Sequence, residues 1–340
     1  MDQQEPVITQ QEGGAIDDQA ALLYPPKYTP IQAKGNPLLR SVQSLALYLM
    51  VGYLIFPTFS FLLMVTLIVL IHELGHFLAM KYFRYSDLGM FFIPLLGAYV
   101  SGTKREVSQT QSAIILLAGP LPGMIIGIAL YYIDAAAGGL IFWGLSLHTI
   151  SLLFIFLNLF NLLPIYPLDG GQLLNRVFLD EEGIVSRIFI YLSIVGITWF
   201  AISLWQKTGS WFYFAILLFP IYLLLRMRTD AQLNNLEKKL ESDGYDLNKE
   251  YNDLTDQQYW ELRKKVIANH SAYTDIHPGP PYEYHPKEDK IMNAIQSLLH
   301  RTFWEDMSIA GKILVFVIWL AALASPWLLQ LDLSFINPFR

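Results

Sequence analysis

The chain has 340 residues, of which 54% are hydrophobic and only 15% charged, a balance that places it among membrane proteins rather than soluble globules. A formal charge of −6 offers no broad basic field and argues against nucleic acid as a partner. With no cysteine in the chain, thiol catalysis, disulfides and cysteine–zinc sites are excluded, so any metal must be held by His, Asp or Glu.

The N-terminal residues MDQQEPVITQQEGGAIDDQ lack the basic start and apolar stretch of a signal peptide. Residues 1–40 are therefore expected to be a disordered, solvated tail on the cytosolic side. From Ser41 to Ile71 there is no charge, and at about 1.5 Å per helical residue this run overshoots the apolar slab of roughly 30 Å. A break is expected at Pro57, giving spans over 41–56 and 59–83. The stretch IPLLGAYVSG after the second span mixes small and β-branched residues with glycine and proline, the pattern of a short re-entrant β-hairpin. Such backbone tolerates membrane depth only where protein covers it or it lines a wet cavity.

Further apolar segments run over 112–133, 140–163, 184–205, 211–225 and 309–329. The expected fold is an all-α polytopic membrane protein of about seven transmembrane helices, with the hairpin between the second and third. Its domains are expected as a six-span membrane domain over 41–228, a polar cytosolic segment over 229–307, and a last span with a short external tail over 308–340. The polar segment opens with the helical pattern AQLNNLEKKLES and contains HPGPPYEYHPKED, and reads as a tether or a small helical module. Lys34, Arg40, Lys81, Arg84, Lys104, Arg105, Arg176, Arg187, Arg226 and Arg228 fall on one side of this scheme, against Lys207 and Arg340 on the other. The excess predicts a cytosolic N-terminus and an external C-terminus.

The second span ends in IHELGHFLAMKYF. On a helix His72 and His76 lie one turn apart on one face, so two imidazoles can reach one ion. Glu73, about 100° round the helix, is placed to act as base toward the attacking water. Histidines at a membrane interface beside a snorkelling glutamate are the plain alternative, but an ionisable group at bilayer depth costs about 2.5–3.5 kcal/mol on insertion scales. A catalytic zinc needs a third protein donor. Asp169 is the one acid between Asp134 and Asp180, at the end of the fourth span, where Pro164 and Pro167 unwind the helix and Gly170 and Gly171 allow close approach. Its plain reading is a cap for a helix starting at Gly170. His148 reads as a packed, hydrogen-bonded core histidine.

The HELGH of 72–76, the AGPLPG of 118–123 and the N-x-x-P-x-x-x-L-D-G pattern of 161–170 together resemble the site-2 protease family of intramembrane zinc metalloproteases. The resemblance implies one zinc per chain on His72, His76 and Asp169, with Glu73 as catalytic base. It also implies that Asn161 helps hold the substrate unwound, and that Gly97, Ala98, Tyr99 and Val100 offer an edge for strand pairing with it. Implied partners are single-span membrane proteins or signal peptides, in a bacterial or archaeal cytoplasmic membrane. Oligomeric state is left open. The chain departs from many relatives in having external loops too short for a PDZ domain. Two rivals are a noncatalytic zinc-binding membrane partner, which the intact Glu73 argues against, and a metal-ion transporter, which needs polar residues across the whole bilayer.

Overall fold

The computed structural model describes residues 24–29, 37–56, 58–94, 97–104, 106–179, 183–269, 273–299 and 303–331; most of the expected N-terminal tail and the external tail lie outside these. The chain divides into two compact units, one of Lys34–Leu223 with Thr302–Arg340, the other of Met1–Ala33 with Leu224–Arg301.

In the first unit α1 (Pro37–Tyr53) and α2 (Phe59–Tyr82) are separate helices, and the Thr58 hydroxyl caps α2 by accepting from the Phe61 N–H. α2 buries Leu62, Met64, Ile68, His72, Glu73 and His76 within the unit and leaves Leu67, Leu70, Leu74 and Leu78 exposed. The strands β1 (Ser86–Ile93) and β2 (Gly97–Thr103) form an antiparallel hairpin that pairs Phe92 with Ala98 and Ile93 with Gly97. Phe92 buries itself against Tyr48 of α1 and Leu62 of α2, which holds the hairpin to both helices.

β3 (Val107–Ser108) leads into α3 (Gln109–Ala118) and α4 (Pro120–Ala137), two helices separated at Gly119. Pro120 has no N–H and occupies the first turn of α4, where none is needed. A two-residue hairpin, β4 (Ile141–Phe142) and β5 (Leu145–Ser146), precedes α5 (Leu147–Asn161). Gly119, the N-cap of α4, and Gly123 and Gly127 within it recur at every fourth residue and form a stripe. A Cβ on Gly127 would sit 2.7 Å from the Ile155 side chain, so the stripe is what lets α5 lie close.

α6 (Asp169–Val177) and α7 (Ile184–Thr208) follow, then a 3-10 turn (Trp211–Leu217) and α8 (Leu218–Ser242). After the second unit the chain returns as β6 (Phe303–Trp304), parallel to β3, and α11 (Ile309–Leu328). Ile188, Leu192, Val195 and Trp199 of α7, and Ile313, Leu314, Val317 and Leu320 of α11, are exposed apolar side chains of the kind a bilayer covers.

Among the described residues four helical stretches are long and apolar enough to cross a membrane: α2, the run 109–137 through α3 and α4, α7 and α11. The expected seven are not all of that kind. α1 has 17 residues and α5 has 15, short of the roughly 20 of an upright crossing. The span expected over 140–163 instead begins as the β4–β5 hairpin. Gly138, Gly139 and Gly144 take positive φ there, and the apolar Ile141, Phe142 and Trp143, which suggest a helix by composition, are exposed on the turn. The run 211–225 divides between the 3-10 turn and the start of α8, which continues to Ser242.

The second unit packs around Leu236 and Leu240 of α8, Tyr259, Trp260 and Val266 of α9 (Asp256–Asn269), and Ile291 and Ile295 of α10 (Glu288–Leu298). Its limits, at 224 and 301, differ by a few residues from those composition suggests, and Tyr24 and Tyr28 of the expected tail pack against it. At its centre Arg263 Nε and Glu288 Oε1 lie 2.6 Å apart, with both side chains only 2% exposed. The Arg263 Nη2 donates to Glu288 Oε2 at 2.9 Å, and the Tyr259 hydroxyl and His285 N–H donate to the same carboxylate. Burial pushes the Glu288 carboxyl up, but these donors and the guanidinium charge outweigh it and hold the group below its ordinary range. The pair therefore stabilises the folded unit at neutral pH, and its contribution is lost as pH falls through the depressed carboxyl pKa. Glu288→Ala should cost about 3–5 kcal/mol by stranding a buried guanidinium, and Arg263→Met with Glu288→Leu much less. The check is urea-dependent loss of protease protection of this unit in the full-length chain.

Candidate metal centre

Helical spacing in α2 places the His72 and His76 rings edge to face, with centroids 4.8 Å apart. Each ring is oriented from behind. The Asn158 amide nitrogen donates to the Phe154 carbonyl at 2.7 Å, so its Oδ1 is the atom that faces His72 Nδ1, at 2.8 Å. His76 Nδ1 lies 2.8 Å from the Ile115 carbonyl. Both partners only accept, so both rings carry their hydrogen on Nδ1 and present a bare lone pair at Nε2.

Those lone pairs point at each other and at a carboxylate. The two Nε2 atoms are 3.1 Å apart, and Asp169 Oδ2 lies 3.0 Å from that of His72 and 3.3 Å from that of His76. With neutral rings and an ionised Asp169, three acceptors meet with no hydrogen between them, and Asp169 Oδ2 is buried with no hydrogen-bond partner. A cation at their meeting point satisfies all three. The donor atoms lie within 4.8 Å of one another, and two imidazoles with one carboxylate suit zinc at a site that keeps a position open.

Asp169 reaches this point because the α5–α6 connection folds tightly on itself. A Cβ on Gly170 would lie 2.0 Å from the Leu162 carbonyl oxygen, and one on Gly171 2.3 Å from the Ile165 carbonyl carbon. The Trp319 indole of α11 donates to that Leu162 carbonyl at 2.9 Å, and the Tyr166 N–H donates to Ser193 Oγ of α7 at 3.0 Å. At the far end of α6 the Gln109 amide donates to the carbonyls of Arg176 and Val177. The capping role considered for Asp169 does not occur: Leu168 is the N-cap, and Asp169 is the first helical residue with its carboxylate turned to the histidines.

The glycines of the other two motifs have the same kind of explanation. A Cβ on Gly75 would fall 1.9 Å from the Ala118 carbonyl oxygen, one on Gly119 2.3 Å from His76 Nε2, and one on Gly123 2.2 Å from the Asn158 amide nitrogen. HELGH and AGPLPG are thus two surfaces of one close helix contact.

Beside the histidines lies a cavity of about 90 Å³ bounded by His72, Glu73, Gly97, Ala98, Asn158 and Asn161, among others. Glu73 is 6% exposed. Of the residues implied to meet a substrate, Asn161, Gly97 and Ala98 share this cavity with Glu73, whereas Tyr99 stacks on Phe91 at 5.5 Å and Val100 pairs with Met90, both away from it. His148 packs its ring against Tyr131 at 5.5 Å. Sequence reasoning missed Asn158, Trp319, Ser193 and Gln109. For Asn158 a signal existed, since an amide at mid-helix in an apolar segment needs a partner.

Residues 60–201, which contain His72, Glu73, His76, Asn158, Asn161 and Asp169, match the profile of peptidase family M50. A zinc metalloprotease of Methanocaldococcus jannaschii is 30% identical over 126 residues, covering 37% of this chain and 36% of that protein. Stage IV sporulation protein FB of Bacillus subtilis is 34% identical over 121 residues, covering 34% of this chain and 40% of that protein. The aligned parts are thus less than half the length of these curated relatives. A solved site-2 protease from Methanocaldococcus jannaschii aligns at 21% identity over 54% of this chain and 84% of that one, with a TM-score of 0.38, a likeness too distant to inform the fold.

Replacing Asn158 by Leu should free His72 to take the wrong tautomer and weaken zinc binding about 10–100-fold, while Asn158→Asp, which keeps the acceptor, should lose less. Chelator-competition titration of the purified chain measures this without reference to any activity.

Proposed function

We propose that this chain, with its M50 peptidase region, is an intramembrane zinc endopeptidase of the site-2 protease type. It hydrolyses a peptide bond within or next to a transmembrane helix of another protein, as a step of regulated intramembrane proteolysis. The observation that carries this reading is the convergence of two bare imidazole nitrogens and a partnerless carboxylate oxygen beside Glu73, on a helix apolar enough to cross a bilayer.

His72, His76 and Asp169 would hold one zinc ion per chain, and the ion supplies Lewis acidity to a water and to the scissile carbonyl. Glu73 takes the proton from the attacking water and returns it to the leaving amine. Its burial in an apolar unit limits competing solvent, and its place in the same cavity as His72 gives it the reach. Asn161 donates its amide to the Leu157 carbonyl at 3.1 Å, an arrangement that leaves its amide oxygen to engage substrate backbone.

A transmembrane helix hides its carbonyls in its own hydrogen bonds, so the substrate must unwind locally before it is cut. Backbone of β2 from Gly97 to Val100 offers a strand edge on which the unwound segment pairs, with Gly97 and Ala98 bringing that edge to the cavity beside Glu73. Substrates on this reading are single-span membrane proteins or leftover signal peptides, cut near the cytosolic face. The Lys and Arg bias supports a multi-pass protein with a cytosolic N-terminus in a bacterial or archaeal cytoplasmic membrane. Against the transporter alternative, α2 continues no polar line beyond His72: from Phe59 to Ile71 its side chains are apolar save Ser60 and Thr66, and Thr66 spends its hydroxyl on the Leu62 carbonyl of its own helix.

Glu73→Gln should retain zinc while cleavage of a single-span reporter in reconstituted vesicles falls by about 10²–10⁴-fold. Undiminished cleavage by the variant would remove Glu73 as the base, and a wild-type chain that binds zinc without cutting any of a panel of spans would favour the noncatalytic partner.

A further inference from the structure

Residues 24–28 read Tyr-Pro-Pro-Lys-Tyr. Two adjacent prolines hold φ near −65° and remove two N–H groups, which disposes the segment to an extended polyproline II form whose carbonyls need outside donors. Within its own unit the segment finds them on residues more than 200 positions away. The Trp260 indole donates to the Pro25 carbonyl at 2.8 Å, the Tyr284 hydroxyl to that of Pro26, and the Tyr251 hydroxyl to that of Tyr28 at 2.6 Å. The Lys27 N–H donates to Asp256 Oδ1 at 2.6 Å.

The side chains are read as closely as the backbone. The Tyr24 ring lies against Tyr282 with centroids 5.1 Å apart, and Tyr28 lies against Tyr284 at 5.4 Å while its hydroxyl donates to Asp289. The Lys27 ammonium donates to the carbonyls of Tyr251, Asn252 and Leu254, spending its three hydrogens at the end of a 3-10 turn (Tyr251–Asp253). The floor is prepared in advance: Trp260 is stacked on Tyr284 at 5.7 Å and 18°, with the Arg263 guanidinium 4.7 Å from its ring and Arg263 fixed by Glu288.

The core of the unit closes without this segment. Its buried members all lie between Leu236 and Leu299, whereas Tyr24 and Tyr28 are only half-buried at its margin and Pro26 is exposed. The segment is held by side-chain donors and aromatic faces, with no strand ladder, which is how aromatic-lined grooves recognise proline-rich ligands.

We infer that the unit over Leu224–Arg301 is a recognition module for peptides of the pattern aromatic-Pro-Pro-Lys-aromatic, and that Tyr24–Tyr28 is its resident ligand in cis. The inference is independent of the peptidase reading. Covalent linkage raises the effective concentration of the resident segment, so a free peptide of the same class binds well only when that segment is displaced.

The test uses the full-length chain in detergent and a fluorescent synthetic peptide of residues 22–30, LLYPPKYTP, followed by anisotropy. The variant carrying Pro25→Ala, Pro26→Ala and Lys27→Glu together should bind the peptide saturably, and the wild type about tenfold more weakly or worse. A peptide with its lysine changed to glutamate should not bind the variant, and Tyr284→Phe added to the variant should weaken binding several-fold by removing one donor while keeping the ring. Absence of binding to the variant, or equal binding of the glutamate peptide, would overturn the inference. Limited proteolysis covers the case in which the variant unit unfolds: restored protection on adding peptide upholds the groove, and no restoration rejects it.

Discussion

Three lone pairs aimed at one point are the constraint on which the membrane unit depends. In water such an arrangement would hydrate and disperse; inside an apolar bundle it persists only if the surrounding chain holds each donor and a cation balances them. The tautomers of His72 and His76 are set by Asn158 and by the Ile115 carbonyl, so the chemistry of the centre is decided partly by an amide and a backbone group on the far side of each ring from the Asp169 carboxylate. Asp169 is supplied from an element that starts only after a tight turn; Trp319 and Ser193 hold that turn and Gln109 holds the far end of the element, from three other helices.

Close backbone approach is the means by which the bundle achieves this. Gly75, Gly119 and Gly123 sit where any side chain would meet a carbonyl, a ligand histidine or Asn158, and Gly170 and Gly171 do the same for the turn into α6. Without a hydrophobic force between helices in lipid, packing of this kind supplies much of the association. The same residues therefore serve stability and site geometry. The β1–β2 hairpin is anchored through Phe92 and brings Gly97 and Ala98 to the cavity without itself supplying a metal donor.

The second unit follows different rules. It has an ordinary water-excluding core and, among the described residues, one buried ion pair, with five-ring aromatic surroundings assembled from Tyr251, Tyr259, Trp260, Tyr282 and Tyr284. Arg263 and Glu288 are costly to bury, and the recipient of that investment is Trp260, whose ring the guanidinium covers and whose N–H grips Pro25. A stretch that composition suggests is tail or tether is thus held by directed hydrogen bonds and aromatic contacts.

By itself the sequence determined the membrane class, the break before α2, a hairpin after it, and a His72–His76 pair with Glu73 beside it, because these follow from hydropathy, proline and glycine chemistry and the helical repeat, all properties of near neighbours; Asp169 it offered only as the one acid available, and tertiary packing is what brings that carboxylate to the two imidazoles. The sequence misjudged the start of the run 140–163, where positive-φ glycines just before it and at Gly144 turn an apolar stretch into a hairpin, and it weighed Asn161 while passing over Asn158. Two asparagines three residues apart on a helix look alike in sequence, and only the approach of α2 and α4 decides that Asn158 faces His72. Likewise the docking of Tyr24–Tyr28 on residues beyond position 250 has no local signature. Such pairings depend on which surfaces the folded chain brings within hydrogen-bond reach, and that is fixed by tertiary packing rather than by any periodicity along the chain.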